Sequence, residues 1–175
     1  MGFGFRRRMM RVLLLTIFFV LVGLNSNAQI RSWKITDLEK YIQTTDSPLV
    51  VNFWATYCVP CKEEIPYFEK ISGKFAKNKV KLLLVSLDVK KDYPEKIMEY
   101  LRKEKIRAEV VWLDETDADY FIPRIDSSWT GALPATLLSS KGIAKPLFFD
   151  RQLKPEELEK AIQKILHPDE SNHKK

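Results

Sequence analysis

Residues 49–61, Leu49-Val50-Val51-Asn52-Phe53-Trp54-Ala55-Thr56-Tyr57-Cys58-Val59-Pro60-Cys61, decide how the chain is read. The first six are aliphatic or aromatic apart from one amide, and the run is too short for a helix. Such a run predicts a central strand buried on both faces. A helix is predicted to begin at or just after Cys58 and to continue to about Phe75, with Pro66 inside it removing one backbone hydrogen bond and kinking it. The two cysteines therefore fall where a strand ends and a helix begins. Unpaired N–H groups and the positive end of the macrodipole favour a thiolate there. Cysteines so placed have pKa values lowered from about 8.5 into the range of roughly 3.5–7.5. Cys58 lies at the exposed end of the helix and Cys61 one turn further in. That makes Cys58 the attacking nucleophile and Cys61 the thiol that resolves a mixed disulfide.

Blander readings of the pair exist. A structural disulfide framework uses several bridges between distant segments, whereas this chain has two cysteines three positions apart. A loop that small contributes little as a staple. A tetrahedral zinc site needs two further ligands, and the only histidines are His167 and His173, in or next to a polar tail. Two buried, unreactive cysteines are the remaining alternative, against which the strand-to-helix placement argues.

Outward from this junction, Thr36-Asp37-Leu38-Glu39 reads as a capping box opening a short helix to about Thr45. Lys81 to Asp88 holds a second buried strand. Asp92-Tyr93-Pro94-Glu95 opens another helix with proline near its first turn, and Glu109 to Leu113 is a third strand. Asp114 to Gly131 is less regular, with a short helix around Asp119 to Ile125. Thr136–Ser139 and Leu147–Phe149 form a hairpin about the Lys141-Gly142 turn. Pro155 starts a last helix that His167-Pro168 stops, and the tail 168–175 is expected to be disordered. Strand-helix alternation followed by a hairpin and a helix predicts an α/β fold. Its central sheet is mixed, with parallel crossovers and an antiparallel edge. Trp33 and Trp112 read as core, and Trp129 as core or groove wall.

The start of the chain carries a different signal. Arg6, Arg7, Arg8 and Arg11 precede the apolar run Val12–Leu24, and Ser26-Asn27-Ala28 adds small residues after it. This is the pattern of a secretory signal over residues 1–28, with an uncleaved membrane anchor as the alternative. Its removal leaves 147 residues, one domain over 29–167, and takes four arginines and no acid from the net charge of +6, leaving +2. The basic balance thus belongs largely to the targeting segment. No basic stripe with interleaved aromatics is present, so nucleic acid is not an expected partner.

The segment Trp54-Ala55-Thr56-Tyr57-Cys58-Val59-Pro60-Cys61, with Lys62 and Pro66 behind it, closely resembles the active-site segment of the thioredoxin superfamily, with Tyr57 where most relatives carry tryptophan. Asn52 in the strand, Glu64 after the second cysteine and the extra segment before the final hairpin make it most similar to the TlpA/ResA-type secreted or membrane-anchored thiol-disulfide oxidoreductases. The resemblance covers nearly all of the mature chain. It implies a thioredoxin fold with an N-terminal extension and a central insertion. Asn52 stands where thioredoxin has a buried aspartate and cannot accept a proton. Glu64 matches a glutamate that the family holds beside the cysteines, which implies a proton acceptor; a solvated acid in a first helical turn is the plainer reading of Glu63 and Glu64. Gly131-Ala132-Leu133-Pro134 resembles the cis-proline loop that faces the cysteines, although Pro134 also fits an ordinary trans strand opener. That resemblance implies a catalytic set of Cys58, Cys61, Glu64 and Pro134. Trp54, Tyr57, Val59, Pro60 and Leu133 would contact substrate.

The implied activity is dithiol-disulfide exchange on exported proteins, in the reducing direction, with no cofactor beyond the cysteine pair and no metal. The implied setting is the periplasm or another extracytoplasmic space, with a membrane-bound electron donor and a monomeric chain. A copper(I)-handling metallochaperone is the competing reading, since soft thiolates suit that ion. A non-catalytic adaptor of the same fold is a third.

Overall fold

A computed structural model describes residues 30–168 apart from 142 and 144. The signal or anchor expected over 1–28 and the tail beyond Pro168 lie outside the described residues. Six strands form one sheet: β1 (Arg31–Trp33), β2 (Leu49–Trp54), β3 (Lys81–Ser86), β4 (Glu109–Leu113), β5 (Ala135–Ser139) and β6 (Leu147–Phe149). Five helices accompany them: α1 (Ile35–Thr44), α2 (Val59–Lys74), α3 (Glu95–Lys103), α4 (Ala118–Ile125) and α5 (Pro155–Leu166). The sheet order is β1-β4-β3-β2-β5-β6. The first four strands in that order run parallel, β5 is antiparallel to β2, and β6 is antiparallel to β5. No described helix is long and apolar enough to cross a membrane.

All six residues of β2 are buried, and the pleat sends them alternately to two cores. Leu49, Val51 and Phe53 join Leu83, Val85 and Val111 beneath α1 and α4. On the other face, Val50 packs with Phe68, Leu138, Leu158 and Ile162 of α2, β5 and α5. Trp54 packs there with Cys61, Ile65, Leu84, Ile97 and Trp112. Asn52 lies on this second face between two apolar neighbours, so the strand directs one polar side chain at the underside of α2.

Pro66 sits inside α2 as expected. Having no N–H, it leaves the carbonyl four residues earlier without its helical donor. That carbonyl belongs to Lys62, and the Tyr100 hydroxyl of α3 donates to it at 3.2 Å. Tyr100 also packs its ring on Trp54, with centroids 5.0 Å apart. Burial pushes the Tyr100 hydroxyl up to about 12, so it remains a donor throughout the neutral range.

The cap of α1, an extra strand and the place of Trp33 depart from the sequence expectations. Helix α1 begins at Ile35, and the reach-back to the cap is made by Asp37, whose Oδ2 accepts the Lys34 N–H at 2.9 Å, rather than by the Thr36–Glu39 box. Glu39 instead pairs with Arg124 of α4 at 2.5 Å, and Glu115 fixes the helix start by accepting the Ile35 N–H at 2.8 Å. Strand β1 was not expected. Its three residues carry no apolar pattern and become a strand only by pairing with Val111–Leu113. Pro94 stands next to the first turn of α3 as expected, as its N-cap, and enters through a cis Tyr93–Pro94 bond. Of the tryptophans, Trp112 is core, stacked on Tyr93 at 4.2 Å, while Trp33 is half-buried against Tyr41 at the sheet edge.

Replacing Tyr100 by Phe keeps the ring and removes the hydroxyl that donates to the Lys62 carbonyl. Urea unfolding of the oxidised Tyr100→Phe protein should show a loss of about 1 kcal/mol. Unchanged stability would show that the carbonyl needs no such partner.

Candidate redox site

The chain leaves β2 at Trp54, makes a turn closed by the Cys58 N–H to the Ala55 carbonyl at 3.0 Å, and enters α2. Cys58 is the N-cap of that helix, and its sulfur accepts the Cys61 N–H at 3.3 Å. The sulfur therefore faces the orphan amides and the positive end of the helix. Cys58 and Cys61 form a disulfide, with Cα atoms 5.3 Å apart. Cys61 is fully buried, while Cys58 keeps 8% exposure. Cys58 thus keeps some contact with solvent and Cys61 none.

Around Cys58 lies a pocket of about 480 Å³ lined by Tyr57, Cys58, Val59, Pro60, Gly131 and Leu133. Tyr57 and Val59 are 64% and 60% exposed, large apolar surfaces beside the reachable sulfur. The Leu133–Pro134 bond is cis. Gly131 has φ +85°, the left-handed region in which a side chain is strained, so the backbone there favours glycine. Trp129 is buried against Phe53 at 5.1 Å, and its indole N–H donates to the Ala132 carbonyl at 2.9 Å. It supports the proline loop from behind and does not line the pocket.

Trp54 needs correction. It is fully buried beneath the cysteines and so supports them without offering a contact surface. The other expected contact residues, Tyr57, Val59, Pro60 and Leu133, do converge on the pocket. Pro134 itself is buried behind it.

Glu64 lies three residues past Cys61, which places both on one face of α2. It is fully buried, contrary to the reading as a solvated acid. Its Oε1 accepts Asn52 Nδ2 at 2.7 Å and its Oε2 accepts the Leu153 N–H at 3.2 Å. Asn52 Nδ2 also donates to Thr136 Oγ1 at 3.2 Å, across the β2–β5 pairing. Asn52 Oδ1 has no partner. Burial pushes the Glu64 carboxyl up to about 7, against the lowering effect of the two hydrogen bonds it accepts. A group so poised takes up and releases a proton at neutral pH. Glu63 remains exposed, within 3.5 Å of Gln152. Two partners escaped the sequence reading, Thr136 and the Leu153 backbone, because neither contact is local. Among the described residues no group of three or more His, Cys, Asp or Glu gathers to hold a metal. The copper reading finds only the two sulfurs.

Three comparisons bear on this geometry. The model of the AhpC/TSA family matches residues 24–141. The chain is 35% identical over 63 residues to a thioredoxin of Coprinus comatus, covering 35% of this chain and 59% of that protein. It is 42% identical over 40 residues to the thiol-disulfide oxidoreductase ResA of Oceanobacillus iheyensis, covering 23% of this chain and 21% of ResA. In both cases less than two thirds of the relative is spanned. A crystal structure of a thioredoxin-related protein from Neisseria meningitidis serogroup B superposes with TM-score 0.61 at 20% identity, over 73% of this chain and 91% of that one. That likeness establishes the thioredoxin fold.

The raised Glu64 carboxyl has a consequence for stability. Its folded value lies above the ordinary glutamate value of 4.5, so the folded state holds the proton longer than the unfolded chain does. Its contribution is fully present below pH 4.5 and is lost as pH rises through about 7. Chemical denaturation of the oxidised protein should show wild type losing about 2–3 kcal/mol relative to Glu64→Gln between pH 4.5 and 8. Parallel pH profiles would contradict the shift.

Proposed function

The chain belongs to the AhpC/TSA family, and on that premise we propose that it is a thiol-disulfide oxidoreductase acting on exported proteins through Cys58 and Cys61, in the reducing direction. The observation that carries the proposal is the sulfur of Cys58, set as N-cap of α2, bonded to buried Cys61 and open to a pocket walled by the cis-proline loop.

In the reduced protein the Cys58 thiolate attacks one sulfur of a substrate disulfide. A Cys58–substrate bond forms, and the other substrate sulfur leaves as a thiolate that takes up a proton. The Cys61 thiol then loses its proton to Glu64 and attacks the Cys58 sulfur. The second substrate sulfur departs and is protonated, so the substrate gains two electrons and two protons while the pair becomes a disulfide. Leu133 backbone, Tyr57 and Val59 supply the surface on which the substrate segment lies. The exchange itself draws only on the sulfurs and Glu64. Another dithiol, supplied by a membrane-bound donor, restores the pair. The N-terminal signal pattern supports export, and similarity to ResA supports the exchange chemistry.

Cys58→Ser should abolish reduction of a model protein disulfide, and Cys61→Ser should accumulate a mixed disulfide at Cys58 that mass spectrometry can locate. Full-rate exchange by Cys58→Ser would overturn the proposal. The reducing direction predicts a potential near thioredoxin's roughly −270 mV. A value near −120 mV would reverse it.

A further inference from the structure

Asp88 lies just past the end of β3 and is used by none of the roles above. It is 3% exposed. Its carboxylate accepts the Thr56 N–H at 3.0 and 3.1 Å, the Thr56 hydroxyl, and the Ser86 hydroxyl at 2.7 Å. Its own N–H donates to Ser86 Oγ at 3.1 Å, and its carbonyl accepts the Trp112 indole N–H at 2.7 Å. Every group directed at the carboxyl oxygens is a donor, which suits the ionised form. The neighbouring lysine, Lys96, pairs with Asp92 at 2.7 Å and also feels the Asp88 charge, without contacting that carboxylate. Asp88 is therefore a buried anion held by neutral donors.

The donors it holds belong to the approach to the nucleophile. Thr56 lies in the turn that the Cys58 N–H closes on the Ala55 carbonyl, and the Leu87 N–H to the Trp54 carbonyl at 2.8 Å ties the β2 and β3 exits together. We propose that Asp88 is a positioning residue for Cys58, clamping the turn that seats the sulfur at the α2 N-terminus and setting a fixed negative charge behind it that biases the pair toward the reducing side. The inference rests on the exchange reading above.

The helix terminus and Asp88 act on the sulfur in opposite senses. Orphan amides favour the thiolate, while a like charge behind it disfavours the thiolate. Tyr57, which joins Thr56 to Cys58, registers the same field: burial first, then the Asp88 charge, push its hydroxyl upward. A less stable thiolate is a less stable reduced form, so the couple gives up its two electrons more readily. The converse is the strong oxidant whose reduced form is stabilised. The other titratable groups near the pair are Lys62, Glu63 and Glu64 on α2, and Tyr93 and Tyr100 packed around α3. The pocket wall formed by Gly131 and Leu133 brings none. Glu64 sits on the Cys61 side and titrates in its own right. Asp88 is the buried anion on the Cys58 side.

The test compares the full chain, Asp88→Asn and the charge-retaining control Thr56→Val. One readout is the pH midpoint of Cys58 alkylation in reduced protein, and the other is equilibrium with glutathione and glutathione disulfide. Asp88→Asn should move the midpoint down by about half a unit or more, a change of about threefold or more in the thiol–thiolate equilibrium. The glutathione equilibrium should move toward the reduced protein. Thr56→Val keeps the charge and should show no downward shift. If Asp88→Asn does not fold by circular dichroism, Asp88→Ser, which retains an acceptor for the Thr56 N–H, should give the same shift. An unchanged or raised midpoint in the folded Asp88 variant would overturn the inference, as would an equal downward shift in Thr56→Val. Failure of wild type to equilibrate with glutathione at all would instead count against the exchange reading on which the inference stands.

Discussion

The hydrogen bond from the Cys61 N–H to the Cys58 sulfur fixes the site, because it makes one cysteine the cap of the helix that buries the other. An N-cap supplies the acceptor that the first turn of a helix lacks. A cysteine sulfur is a weak neutral acceptor, but as a thiolate it becomes a charged one, aligned with the helix dipole. Local folding and nucleophilicity therefore rest on the same contact. The surrounding structure holds it there: β2 delivers the chain to this point, the Asp88 carboxylate grips the turn, and Tyr100 replaces the bond that Pro66 removes further along α2.

Beneath the helix, a polar pair interrupts an otherwise apolar face. Asn52 and Glu64 are both fully buried and hydrogen-bonded to each other. An amide can face a carboxylate through its N–H2 or a carboxylic acid through its oxygen. Rotation of the Asn52 amide thus accommodates either protonation state of Glu64. An aspartate at position 52 would face Glu64 as a second acid and raise the carboxyl further. The asparagine, which cannot itself take a proton, is also the partner whose hydrogen bond holds the Glu64 carboxyl lower than burial alone would.

The strand and helix around the cysteines were legible because burial on both faces leaves an unbroken apolar run, and because the paired cysteines and Pro60 mark the start of α2. The hairpin of β5 and β6, the helix within 114–131 and the stop at His167 were legible for similar local reasons. Strand β1 was not, since Arg31, Ser32 and Trp33 acquire their conformation from β4. The start of α1 was ambiguous: Lys34 with Asp37 and Thr36 with Glu39 are overlapping candidate caps, and contacts with Glu115 and Arg124 choose between them. Asp88 shows the same limit at the site. An acid closing a buried strand was visible, but its hold on Thr56, 32 residues earlier, exists only once β2 and β3 lie side by side. Trp54 looked like a wall because it neighbours the cysteines in sequence, yet the pleat turns it inward.

The asymmetry between the two sulfurs is the central claim, and direct competition between them tests it most simply. Freshly reduced full-length protein treated with limiting iodoacetamide at neutral pH, then digested and analysed by mass spectrometry, reports which cysteine reacts first. Cys58 should take the label at least about tenfold faster than Cys61, as expected of a helix-cap thiolate lining a pocket against a fully buried thiol. Equal labelling, or preference for Cys61, would contradict that asymmetry.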